Sequence, residues 1–186
     1  DQQIEGIIIS TPPSTHYHLA KIALQSGKDV LLEKPMTSTS REAERLINLA
    51  RKSERVLMVG HIYQYNSALM DLKKIVDEGD LGKISHIYSE RAGYGPFRED
   101  INAMWNLAPH DISIIGHLTG SNPLNVRASG FSIKGSQIED IVQMNLEYPN
   151  GITASVRSSW IDPQKIRKTI VFGNKKIAIF DDTIGE

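Results

Sequence analysis

The chain has 186 residues, 40% of them hydrophobic, with 21 basic against 22 acidic side chains and a formal net charge of -1. That balance excludes general attraction to nucleic acid or an anionic membrane, and no apolar run reaches the ~18 residues a membrane span needs. Cysteine is absent, which excludes disulfides and thiolate metal sites and fits a reducing, cytoplasmic location.

In chain order, "EGIIIS" is a short continuous apolar run, the pattern of a buried parallel strand. "TPPSTHYHLAKIALQSG" predicts a helix, with Ser14 or Thr15 as cap, apolar Leu19, Ile22, Ala23 and Leu24, and Gly27 as the stop. "DVLLE" is a second strand. "TSREAERLINLARKS" is a second helix, capped by Thr39 or Ser40, with Leu46, Ile47 and Leu49 inside. "RVLMVG" is a third strand. A β-α-β-α-β rhythm with short connections implies a parallel sheet with right-handed crossovers.

The rhythm changes after Gly60, and a domain boundary is expected near residues 61–66. "NSALMDLKKIVDEGDLG" reads as an amphipathic helix ending near Gly79, and "KISHIYSERAG" alternates as a strand. "AMWNLAPHDISIIGHLTG" reads as a helix closed by Gly120. Then come "NVRASGFSI", "DIVQMNLEY", "ITASVRSSW", "KTIVFG" and "KKIAIF", with "YPNG" and "GNKK" where hairpin turns belong. The second part is therefore α+β with a largely antiparallel sheet.

Ligands of open parallel sheets bind beyond the C-terminal ends of the strands. The first strand runs into "STPPSTH", Ser10 to His16, and the second into "EKP", Glu33 to Pro35. Neighbouring parallel strands put both clusters on one edge, and the convergence says more than either motif. Taken singly, "TPPSTH" also reads as a plain β-to-α turn, and Lys34 as a solvated strand-end lysine. His16 and His18, two apart, share no helix face, so no metal site is expected.

These residues carry a resemblance. "IIISTPPSTHYHLAKIALQSGKDVLLEKPMTSTSREAERLINLA" closely resembles the Gfo/Idh/MocA oxidoreductases, which include glucose–fructose oxidoreductase and inositol dehydrogenase. The family pattern is a strand, T-P-x-x-x-H, a helix ending A-L-x-x-G-K, a strand, then E-K-P. Here it is Thr11-Pro12, His16, Ala23-Leu24, Gly27-Lys28 and Glu33-Lys34-Pro35. The resemblance continues through "VGHIYQYNSA" and "NLAPHDISIIGHL" to "SSWIDPQKIRKTIVFG", essentially the whole chain.

The resemblance implies an α/β plus α+β fold. Residues 1–62 would be the C-terminal half of a Rossmann dinucleotide-binding domain. Residues 63–186 would be a substrate-binding and oligomerisation domain with an open, largely antiparallel sheet, incomplete at its C-terminus. The implied reaction moves a hydride between the nicotinamide of NAD or NADP and a carbinol carbon of a sugar or nucleotide sugar. Catalysis would fall to Lys34 and His110. Lys34 would handle the hydroxyl proton, a task that needs a base tuned towards neutrality. Ser10, Thr11, Pro12, Pro13, His16, Glu33, Lys34, Pro35 and His61 would contact the cofactor, with a cis Lys34–Pro35 bond in the turn. Arg98, Asn106, Trp160, Lys165 and Arg167 would contact the substrate, although Arg98 also reads as a surface arginine and Trp160 as core. A homodimer or homotetramer through the open sheet is expected, with no nucleic-acid or membrane partner.

The chain departs from the family in three places. The family's D-x-x-x-H pair reads Asn106 and His110 here, so the acid is an amide that can orient a hydroxyl but cannot be a base. Gln64 stands where relatives often have arginine. The cofactor fingerprint G-x-G-x-x-G is absent, as is the acid that holds the adenosine ribose. With Asp1 lying almost directly before a strand, a fragment beginning at the fourth strand of the dinucleotide domain is expected, binding cofactor weakly or not at all alone. A second reading is a non-catalytic, dinucleotide-sensing regulatory or binding protein on the same scaffold, which Asn106 leaves open.

Overall fold

Three apolar runs, each too short to bury itself, pair side by side in parallel. They are β1 (Gly6–Ile9), β2 (Asp29–Leu32) and β3 (Leu57–Val59), in that order across the sheet. The computed structural model describes residues 1, 3–95, 97–133, 135 and 137–184. They divide into two units, Asp1–His61 and Ile62–Glu186.

In the first unit, α1 (Pro13–Gln25) and α2 (Ser40–Lys52) supply the crossovers. Ala20, Ala23, Leu24, Leu46 and Ala50 pack with Ile9, Val30 and Leu32 into one core. The opposite face carries Ile8, Leu31 and Met58, in register with one another and exposed. α1 starts on the proline pair, with Pro12 as N-cap and Pro13 in the first turn, where a missing N–H costs nothing. The expected Ser14 or Thr15 cap is not made. Instead the Thr15 hydroxyl turns back and donates to the Pro12 carbonyl at 2.8 Å. α2 is capped as expected by Thr39, whose Oγ accepts from the Glu42 N–H at 3.3 Å.

The second unit opens with a 3₁₀ turn, Ile62–Tyr65, and α3 (Ser67–Asp77), capped by Asn66. β4 (Ile84–Tyr94) and α4 (Ala103–Thr119) come next. α4 is capped by Asn102 and closed by Gly120 at φ +62°, a left-handed position that suits glycine. β5 (Asn125–Phe131), β6 (Ile141–Glu147), β7 (Thr153–Ser159), β8 (Ile161–Gly173) and β9 (Ile177–Asp181) complete a sheet of order β5-β6-β7-β4-β8-β9. Its pairs are antiparallel except β4 with β7. Period-2 alternation sends Val142, Met144, Leu146, Ala154, Val156, Ile87 and Val171 to one face, against Leu69, Leu72, Ile114, Ile115 and Leu118 of the helices.

β8 is longer than the sequence suggests, beginning at Ile161 rather than Lys168. The Trp160 carbonyl accepts from the Gly95 N–H at 2.7 Å, which carries the chain over the end of β4, and pairing resumes at once with Tyr94 opposite Ile161. "DPQKIR" has no apolar alternation to announce this strand. Among the described residues, no helix is long and apolar enough to cross a membrane.

Two glycines in this unit should respond oppositely to alanine. A Cβ on Gly173 would stand 2.0 Å from the Leu81 carbonyl oxygen, whereas on Gly116, inside α4, it meets nothing within 4 Å. Urea denaturation should show Gly173→Ala destabilised by about 1–3 kcal/mol. Gly116→Ala should be stabilised by up to about 1 kcal/mol, because helix interiors disfavour glycine.

Candidate functional site

The register that sets Ile9 level with Leu32, and Leu32 with Val59, also sets level the loops that continue from these three strand ends. The Glu33 N–H donates to the Ile9 carbonyl at 2.9 Å, and the Gly60 N–H to the Leu32 carbonyl at 2.8 Å. Ser10 to Pro13, Glu33 to Pro35 and Gly60–His61 therefore leave the sheet along one edge. Ser10, Thr11, Pro12 and Glu33 are exposed, and Lys34 is half-buried. The Glu33 carboxylate accepts from the Lys34 N–H at 3.1 Å, and its other oxygen would lie 3.4 Å from a Cβ at Gly60. The Lys34–Pro35 bond is cis.

His16, expected among the cofactor contacts, is 0% exposed, with Nε2 2.9 Å from the Thr11 carbonyl and Nδ1 2.8 Å from the Pro35 carbonyl. With both ring nitrogens engaged by main chain, it ties the two loops together. Pro13 and Pro35 are buried as well, so their part is to shape the loops. His61 is different: its Nδ1 is buried and finds no hydrogen-bond partner among the described residues. Burial lowers its pKa below the usual 6.5; Glu33 raises it and Lys34 adds to the lowering.

This edge offers the hydroxyls of Ser10 and Thr11, the Glu33 carboxylate, the Lys34 amine and an unsatisfied imidazole nitrogen. That set fits a ribose and a carboxamide, the nicotinamide end of a dinucleotide. The chain contains no G-x-G-x-x-G to let a backbone approach the pyrophosphate.

In the second unit, α4 carries Asn106 and His110 four apart, on one face. His110 lies in the middle of this helix, which runs through Pro109. Pro109 has no N–H to return to the Trp105 carbonyl, so α4 is unbraced just where His110 stands. The next residue supplies the brace. Asp111, 1% exposed, accepts from Arg91 Nε at 3.0 Å and from the Ser89 hydroxyl at 2.8 Å. Arg91 Nη1 donates to the Tyr63 hydroxyl at 2.8 Å, which donates to Asp182 at 2.6 Å. Burial pushes the Asp111 carboxyl above its ordinary range, while Arg91 and Ser89 pull it back. The Tyr63 hydroxyl is pushed up, by burial first and then by Asp182. The Tyr63 ring meets His110 edge-on, with centroids 5.2 Å apart at 70°.

The expected substrate contacts fare unevenly. Arg98 forms a surface ion pair with Asp100 at 2.8 Å. Trp160 is 2% exposed and its indole N–H donates to Asp140 at 2.5 Å, so it is core, the other reading the sequence leaves open. Arg167 pairs with Asp182 at 3.3 Å, and Lys165 is exposed on β8. Arg91, Ser89, Asp111, Tyr63 and Asp182 belong to no motif that sequence reasoning picks out. A signal exists all the same: alternation in "IYSER" puts Ser89 and Arg91 on the same inward face as Ile87, where polar groups need partners.

The parallel sheet with a polar strand-end edge, followed by an open mixed sheet, defines a class of dinucleotide-linked oxidoreductase folds, and comparisons agree. Residues 1–61 match the family model described as "Oxidoreductase family, NAD-binding Rossmann fold", and residues 69–179 match "GFO/IDH/MocA C-terminal domain". The chain belongs to the Gfo/Idh/MocA oxidoreductase family. It is 30% identical over 180 residues to UDP-N-acetylglucosamine 3-dehydrogenase of Acidithiobacillus ferrooxidans, covering 96% of this chain and 56% of that protein. It is 33% identical over 105 residues to scyllo-inositol 2-dehydrogenase (NADP(+)) of Bacillus subtilis, covering 56% of this chain and 28% of that protein. A solved structure of the Acidithiobacillus enzyme superposes with a TM-score of 0.85 at 29% identity, over 97% of this chain and 58% of that one. Aldose-aldose oxidoreductase from Caulobacter crescentus, 23% identical, shares the fold with a TM-score of 0.89 over 95% of this chain and 56% of that one.

Arg91→Met leaves the Asp111 carboxylate buried without its cation. Chemical denaturation should show a loss of about 3–5 kcal/mol, and Arg91→Met combined with Asp111→Leu should recover most of it.

Proposed function

We propose that this chain forms the nicotinamide-facing edge and the substrate domain of an NAD(P)-dependent oxidoreductase acting on a CH–OH group of a sugar or nucleotide sugar. The observation that carries the proposal is the convergence of Glu33-Lys34-Pro35 with Ser10-Thr11-Pro12 on one strand-end edge. The 30% identity to a UDP-N-acetylglucosamine 3-dehydrogenase supports the nucleotide-sugar class.

The dinucleotide, NAD or NADP, supplies the hydride acceptor or donor when bound. Lys34 Nζ takes the hydroxyl proton in the oxidising direction and returns it in the reducing one. A half-buried amine at the strand end stands where such a proton can be reached. Glu33, Thr11 and His61 would hold the nicotinamide end of the dinucleotide when it is bound. On the second unit, His110 is the candidate acid or base of the substrate domain. Asn106, Lys165 and Arg167 orient the sugar.

Asn106 is also the observation that favours the second reading, a dinucleotide sensor without turnover, since an amide cannot replace the family's acid as a base. Lys34→Ala in the full-length protein separates the two. With UDP-N-acetylglucosamine and NAD⁺, hydride transfer should fall by about 10²-fold or more while NADH binding, read by fluorescence, stays within a few-fold. Unchanged biological activity of Lys34→Ala would favour the sensor.

The outer face of the second sheet suits a second copy of the chain. Tyr88, Ile170 and Ile179 stand in register across β4, β8 and β9, as do His86, Phe172 and Ile177. Ile177 is 59% exposed and Ile179 62%. Light scattering should give a dimer or tetramer, and Ile179→Lys should shift it towards monomer.

A further inference from the structure

His16 has more to do than fill space. It sits in the first turns of α1, closed to water, and both its ring nitrogens address oxygens that only accept: Thr11 O at 2.9 Å and Pro35 O at 2.8 Å. The ring thereby meets the main chain of two separate loops at hydrogen-bond distance.

The second carbonyl matters most. Pro35 directly follows Lys34, and Thr11 belongs to the exposed loop beside it. The ring therefore spans from one candidate ligand loop to the other across the end of the sheet.

We propose that His16 is the positioning residue for Lys34: its two ring nitrogens meet the Pro35 and Thr11 carbonyls, which fixes one loop to the other and so sets where the lysine amine stands. It touches neither substrate nor cofactor. The proposal rests on the reading of Lys34 as the proton-handling group. It adds a residue that acts through the backbone of its neighbour.

The kinetics of His16 variants of the full-length protein test it. His16→Gln can reach one carbonyl only. With UDP-N-acetylglucosamine and NAD⁺, its kcat should fall about 10²-fold, the cost of a misplaced reacting group, with KM for both ligands within about twofold. His16→Ala should fall further. A purely structural role would lower the yield of folded protein and leave the kcat of the folded fraction unchanged, which overturns the proposal. Wild-type turnover by Lys34→Ala would instead overturn the Lys34 reading, and this inference with it.

Discussion

Parallel pairing in strict register is the constraint on which the candidate site depends. Because Ile9, Leu32 and Val59 stand level, three chemically unlike segments leave the sheet at the same height. No single loop carries the edge. Thr11, Glu33, Lys34 and His61 come from three connections, and a slip of one residue would turn each strand's apolar set to the wrong face. The buried His16 then joins two of the loops, so the strand-end edge is braced from beneath as well as aligned by the ladder.

The second unit solves a different problem. α4 carries Asn106 and His110 on a helix that runs through Pro109 one hydrogen bond short. The buried Arg91–Asp111 pair, with Ser89 and Tyr63, pins the helix to β4 and to the turn that opens the unit. A buried ion pair is weak evidence for stability, since apolar replacements often do as well. Its use here is to fix one rotational setting of α4, with the Tyr63 ring against His110.

Much of the fold is legible in the sequence, for identifiable reasons. The first unit's strands are continuous apolar runs between glycine, proline and capping residues, and Thr39, Asn66 and Gly120 act where helix chemistry puts them. Half of β8 is hidden because "DPQKIR" shows no side-chain alternation and spans a register shift, with Tyr94 opposite Ile161 but Ala92 opposite Ile166. The strand-end motifs are legible, but the burial of His16 is not, because a motif states which residue is present and not which way it faces. Trp160 poses the same difficulty: an indole at a strand end can face a ligand or the core, and its N–H finds Asp140. The Arg91–Asp111 pair joins residues 20 apart in sequence on different elements, and only the packing of α4 on β4 reveals it.

The account turns on the claim that the C-terminal edge of the three-stranded sheet faces the nicotinamide. Hydrogen–deuterium exchange on the full-length protein, with and without NADH, tests this most directly. Binding should slow exchange at Thr11, Ser14, Lys34, Gly60 and His61 together, while the outer sheet strands β5 and β6 are unaffected. Slowing confined to the second unit, with these amides exchanging as before, would contradict it.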